Sequence, residues 1–85
     1  MEIVFSPESL EDLNFWKQSG NVKIQNRILQ LLESIKESPY EGLGKPEALK
    51  HNWTGYWSRR INKEHRLIYK TENERIIIAQ LRGHY

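Results

Sequence analysis

Ile24, Ile28, Leu31, Leu32 and Ile35 fall at i, i+4, i+7, i+8 and i+11. Aliphatic residues at that spacing line one side of a helix. An amphipathic helix must bury its stripe against another layer, and the second half of the chain supplies one. The runs Tyr56–Ile61, His65–Thr71 and Arg75–Leu81 read as strands. Asn62-Lys63-Glu64 and Glu72-Asn73-Glu74 between them are short and polar, as in antiparallel hairpins. Ile76-Ile77-Ile78-Ala79 is apolar at every position, which predicts a central strand covered on both faces over part of its length.

Upstream, Glu2–Phe5 reads as a first strand. Ser6-Pro7-Glu8 has the pattern of a helix start, with Ser6 as N-cap, proline in the first turn and acid near the positive helix end. Leu10, Leu13 and Trp16 recur at helical spacing. Gly20 is a stop and Asn21 a cap for the stripe helix, which Ser38-Pro39 ends. Gly42, Gly44 and Pro46 mark Tyr40 to Asn52 as a loop. The expectation is an α+β chain in the order β-α-α-β-β-β, with two N-terminal-half helices packed on a twisted antiparallel sheet. No repeat, low-complexity tract or linker divides it, so one domain over residues 1–85 is expected.

The 85 residues contain no cysteine, which removes disulfides, thiolate nucleophiles and cysteine-based zinc sites. Met1 runs into Glu2-Ile3-Val4-Phe5 without a basic flank or long apolar run. The expectation is therefore no secretory signal, no membrane span and a cytoplasmic location. Charge is unevenly placed. Residues 1–43 hold four Lys/Arg against seven Asp/Glu, and residues 44–85 hold nine against four. A basic half interleaved with Trp53, Tyr56 and Trp57 suits a phosphate-bearing partner with exposed bases. A solvated sheet face fits the charge alone equally well, and the aromatics fit a core.

Between Lys45 and Tyr69 stand most of the residues able to do chemistry: Lys45, Glu47, Lys50, His51, Arg59, Arg60, Glu64, His65 and Arg66. The chain ends in His84-Tyr85. Cleaving RNA through its own 2′-OH takes a base for that proton, a cation for the phosphorane and an acid for the departing 5′-oxygen. Glu, Arg and His match those roles without a metal, and His51, His65 and His84 lack compact metal-ligand spacing. Each has a plain alternative. Glu47 reads as a surface carboxylate, Arg66 as an ion-pair partner of Glu64 or Glu72, and His84 as part of a frayed terminus. Strand parity puts Gln80, Arg82 and His84 on one face and Ala79 and Leu81 on the other. Arg60 and Arg66 share a face only if three residues form the loop between their strands, and the sequence leaves that register open.

Lys45-Pro46-Glu47-Ala48-Leu49-Lys50, Gly55 to Ile61, Glu64-His65-Arg66-Leu67-Ile68-Tyr69 and the terminal His84-Tyr85 together resemble the YoeB/Txe toxins of the RelE/ParE superfamily. The resemblance runs the whole length and includes Phe5-Ser6 and Tyr40-Glu41-Gly42. It implies a microbial-ribonuclease-like, RelE-like fold and endonucleolytic cleavage of mRNA in the A site of the 30S subunit, with no cofactor. It also implies a cognate antitoxin of the YefM/Axe type, operator DNA bound only through the toxin–antitoxin complex, and homodimers in many members. By matched position, Glu47 is the general base, His84 the general acid and Arg66 the phosphate-stabilising arginine. Tyr85 orients substrate, and Lys50, Arg60 and, more weakly, Arg59 contact RNA phosphates. Ala48, Trp53 and Gly83 depart from the family pattern, and Gly83 bears on the order of the catalytic terminus. A ParE-like gyrase inhibitor and a non-catalytic ribosome or RNA binder are the rival readings. Neither gives the Glu47/His84 pair any chemistry.

Overall fold

The computed structural model describes residues 1–83; His84 and Tyr85 lie outside the described residues. Helix α2, Val22–Glu37, forms where the stripe predicts. The Asn21 side chain accepts from Ile24 N at 3.1 Å, and Ile24, Ile28, Leu31, Leu32 and Ile35 are all buried. Helix α1, Pro7–Ser19, starts with Ser6 Oγ accepting from Ser9 N at 3.1 Å and stops at Gly20 in the left-handed conformation. Its inward residues are Ser9 and Trp16, with Leu13 packed against the core, whereas Leu10 is exposed.

The strands are β1 (Glu2–Phe5), β2 (Glu47–Ala48), β3 (Trp57–Arg60), β4 (Arg66–Glu72) and β5 (Arg75–Gln80), in the sheet order β1-β5-β4-β3-β2. The sheet is mixed rather than antiparallel throughout, because β1 runs parallel to β5 with Glu2 opposite Arg75 and Phe5 opposite Ile78. The hairpins joining β3, β4 and β5 fix direction through short turns. β1 reaches the sheet only through two helices, so no turn chemistry records its direction. The second departure is β2, a two-residue edge strand inside the segment expected to be loop, paired with β3 through Glu47–Ser58 and Ala48–Trp57.

Asn73 and Glu74 both have positive φ, the type I′ geometry that joins β4 to β5. In the β3–β4 ladder Arg59 faces Leu67 and Arg60 faces Arg66, so the two arginines left open by the sequence stand directly across from each other. A β-bulge interrupts β4–β5: Tyr69 pairs with Ile78, but Ile68 pairs with Gln80. The extra residue on β5 reverses the strand's facing. Ile76 and Ile78 point to the helices, Gln80 shares the opposite face with Ile68, and Leu81 returns to the core fully buried.

Candidate active site

The core side of the sheet is defined by Leu67, Tyr69, Ile76 and Ile78 beneath the helices. Alternation along β4 puts Arg66 and Ile68 on the other side, and the pairings carry Ser58, Arg60 and, across from Ser58, Glu47 to that same side. Glu47 lies two strands from Arg66 and two residues along. Strand spacing and rise convert this to about 12 Å between Cα atoms, a span that two long side chains can close around one phosphate. Like charges directly opposite in a ladder are destabilising by about 0.2–1 kcal/mol. Arg60 and Arg66 are such a pair, and they concentrate positive charge on this face.

Local geometry fixes the Glu47 segment. Arg60 N donates to Gly44 O at 2.7 Å and Leu49 N to Tyr56 O at 2.9 Å, one on each side of Glu47. Gly44 permits the first contact: it has φ +85, and a Cβ there would lie 2.7 Å from Leu31 Cδ2. Lys45 and His51 flank the segment with φ of 53 and 59, left-handed conformations that non-glycine residues rarely hold and that cluster at functional sites. Directly across the ladder from Glu47, the Ser58 hydroxyl is buried without a hydrogen-bond partner among the described residues.

Residues 81 and 83 are secured beside helix α1 and the start of β4. Trp16 Nε1 donates to Leu81 O at 2.9 Å, and Leu81 N donates to Asp12 Oδ2 at 2.9 Å. Arg66 N donates to Gly83 O at 3.1 Å, so the carbonyl of the peptide that joins Gly83 to His84 is bonded to the proposed phosphate ligand's main chain. His84 and Tyr85, expected to act here, fall outside the described residues.

A groove of ≈ 470 Å³ opens beside this face, lined by Glu47, Lys50, His51 and Trp53 among others. Lys50 is exposed at the entry to a 3₁₀ turn, His51–Trp53. Trp53 is half-buried and meets Tyr56 edge-on at 5.1 Å, and Lys70 lies 5.1 Å over the Tyr56 ring. Trp57 packs against the core instead. A second groove, ≈ 500 Å³, lies at the start of α2 among Asn21, Lys23, Arg27 and Asn62 and contains none of the expected site residues. Among the described residues, no group of three His, Cys, Asp or Glu side chains is placed to hold a metal.

Arg59, expected more weakly to contact RNA phosphates, does not lie on the open face with Arg60 and Arg66. It is fully buried on the core face, and its guanidinium uses all five N–H donors internally. Nε meets Tyr69 Oη at 3.2 Å, Nη1 meets Ser34 Oγ at 2.7 Å and Leu43 O at 3.0 Å, and Nη2 meets Ser38 O at 2.7 Å and Glu41 O at 2.8 Å. Tyr69 Oη donates to Pro39 O. Burial pushes the Tyr69 phenol above its usual range, with Arg59 opposing the shift. Together Arg59 and Tyr69 hold the segment after α2 that delivers Glu47. Arg59 and Arg60 are adjacent in β3, so strand alternation sends their side chains to opposite faces, Arg59 inward and Arg60 outward. Asp12 and His65, which secure residues 81 and 83, carry no local sequence signal for those contacts.

Two helices on one side of a five-stranded mixed sheet, with Glu47, Arg60 and Arg66 on the other, define a class. The structure described as a YoeB/ParE toxin from Agrobacterium tumefaciens matches with a TM-score of 0.94 and 39% identity over the whole of both chains, so this is the α+β fold of a small bacterial toxin. The chain belongs to the family of YoeB-like toxins of bacterial type II toxin–antitoxin systems, whose sequence model matches residues 5–85. Toxin YoeB of Escherichia coli K12 is 42% identical over all 85 residues of both proteins. YoeB of Staphylococcus aureus, 46% identical and covering 100% of this chain and 98% of its own, has been solved as a dimer with a TM-score of 0.91. It has also been solved in a heterotetrameric YoeB–YefM complex, with a TM-score of 0.90.

Proposed function

We propose that this chain is a ribosome-dependent endoribonuclease that cuts mRNA in the A site and thereby stops translation. Glu47 takes the proton of a ribose 2′-OH, and the 2′-oxygen attacks the adjacent phosphorus. Arg66 stabilises the charge that accumulates on the phosphorane oxygens, with Arg60 and Lys50 holding the flanking backbone. His84 gives a proton to the departing 5′-oxygen, and Tyr85 orients the substrate. The products are a 2′,3′-cyclic phosphate and a free 5′-OH; water can later open the cycle to a 3′-phosphate. No cofactor enters these steps.

The observation that carries this reading is the shared face of Glu47, Arg60 and Arg66, with the Gly83 carbonyl bonded at Arg66. The site has few groups able to read base edges, which suits a ribosome that supplies much of the substrate positioning. The partner follows from the S. aureus complex: a YefM-like antitoxin whose acidic, partly apolar segment covers the basic face, the pair together binding operator DNA. A homodimer like that of S. aureus YoeB belongs to the same proposal. So does a location in the bacterial cytoplasm, where ribosomes are; no helix among the described residues is long and apolar enough to cross a membrane.

The test is to add the protein to translating ribosomes and map mRNA 5′ ends. Breaks in codon register within the A site support the nuclease. Stalling without breaks would make it a blocker, and loss of supercoiling activity in a gyrase assay would favour the ParE-like reading.

A further inference from the structure

The chemistry proposed above leaves His65 without a role, yet its ring holds the residue next to the proposed acid. Gly83 N donates to His65 Nδ1 at 2.8 Å. A main-chain N–H carries a fixed hydrogen, so Nδ1 presents its lone pair and the ring proton resides on Nε2. On the other side of the same residue, Gly83 O accepts from Arg66 N. Two consecutive residues thus hold both polar groups of Gly83.

The ring is itself held. Its centroid lies 4.8 Å from that of Trp16, with the planes at 80°, and Trp16 is the residue that grips Leu81 O. The main chain of His65 is fixed by Asn62 Oδ1, which accepts from His65 N at 2.8 Å, and by Ile61 N, which donates to His65 O at 3.0 Å. These contacts begin where they are needed. Strand β5 ends at Gln80, and Gly83, at φ +87, has the largest backbone freedom of any residue type. An acid placed directly after such a residue is aimed only if the glycine is tied from outside.

We propose that His65 is a positioning residue: by accepting the Gly83 N–H at Nδ1, it sets the direction in which the chain enters His84-Tyr85. The inference rests on His84 being the general acid. The acceptor and the ring can be separated by substitution. His65→Phe keeps an aromatic against Trp16 and loses the acceptor. His65→Asn loses the ring and places an amide oxygen close to the position of Nδ1.

Both variants, His84→Gln and the double variant His65→Phe/His84→Gln are compared in single-turnover cleavage on saturating programmed ribosomes, with exchange of the Gly83 amide measured on the free protein. His65→Phe is expected to cut about tenfold more slowly, the scale of one lost positioning hydrogen bond, with unchanged ribosome affinity and a deprotected Gly83 amide. His65→Asn should stay within about threefold of wild type and keep Gly83 protected. The double variant should be no slower than His84→Gln alone, because His65 acts only through the terminus. Should His65→Phe not fold, His65→Gln, whose amide oxygen sits one atom farther out, replaces it with the same expected loss. Wild-type cleavage by His65→Phe beside a slow His84→Gln would overturn the positioning role and leave the acid in place. Wild-type cleavage by His84→Gln would overturn the acid assignment itself, and the role of His65 with it. An Asn variant as slow as the Phe variant, with Gly83 still protected, would also refute the role of Nδ1.

Discussion

Replacing Arg59 with lysine keeps the charge and tests whether this residue serves the fold or the RNA. Arginine satisfies five acceptors; an ammonium has three donors and can reach at most three. Two charge-assisted bonds are therefore lost, each worth roughly 1.5–3 kcal/mol. Glu41 and Leu43 lie on exposed turns where water can replace part of this, so the net cost is about 2–4 kcal/mol. For a domain of this size each kcal/mol lowers the melting temperature by roughly 4–8 °C, which puts Arg59→Lys about 8–32 °C below wild type. Arg59→Leu leaves every acceptor without its donor and should melt lower still. Thermal and urea unfolding measure the loss. Ribosome affinity, measured at a temperature where the variant is folded, should keep its salt dependence. A lysine variant that melts within about 2 °C of wild type, yet binds ribosomes with a shallower salt slope, would refute the structural assignment and return Arg59 to the substrate site.

Arg60→Ala should do the reverse, weakening ribosome binding and reducing the salt slope by about one while changing stability little, because its side chain is exposed; equilibrium binding across a salt series and a melting curve check both halves. Gly44→Ala forces a Cβ against Leu31 in a left-handed backbone and should cost at least about 2 kcal/mol in urea unfolding, with loss of cleavage from a displaced Glu47. The Tyr69 phenol titrates higher in the folded protein than in the unfolded chain. The stability its neutral form contributes is thus whole below about pH 10 and is lost as pH rises through the folded value. Urea midpoints should accordingly fall more steeply above pH 10 in wild type than in Tyr69→Phe.

The helices and the three hairpin strands were legible because each is written locally: a stripe at helical spacing, caps at Ser6 and Asn21, and two short polar turns. The parallel pairing of β1 and the existence of β2 were not, because both depend on partners far along the chain. The same division runs through the site. Residue types and the family resemblance singled out Glu47, Lys50, Arg60 and Arg66, and the ladder brings Glu47, Arg60 and Arg66 to one face. The burial of Arg59 was not legible, because adjacent arginines look alike in sequence while a strand sends them to opposite sides. The expected parity of Gln80 and Leu81 agrees with the structure only through the bulge at Ile68/Tyr69, since the buried Ile76 and Ile78 would otherwise have carried Gln80 inward. His65 stood among the chemically capable residues, but its contact with the Gly83 amide, eighteen residues along the chain, has no local signal in the sequence.

The central claim is that Glu47 abstracts the 2′-OH proton of mRNA held on the ribosome. Its most direct measurement is the single-turnover cleavage rate of A-site mRNA by wild type and Glu47→Gln on the same programmed ribosomes, with the 3′ end of the upstream fragment identified chemically. Wild type should leave a 2′,3′-cyclic phosphate or the 3′-phosphate derived from it. Glu47→Gln should cut at least about 10²-fold more slowly at unchanged ribosome affinity. A glutamine variant that cuts at the wild-type rate, or a wild-type product ending in a 3′-hydroxyl, would contradict it.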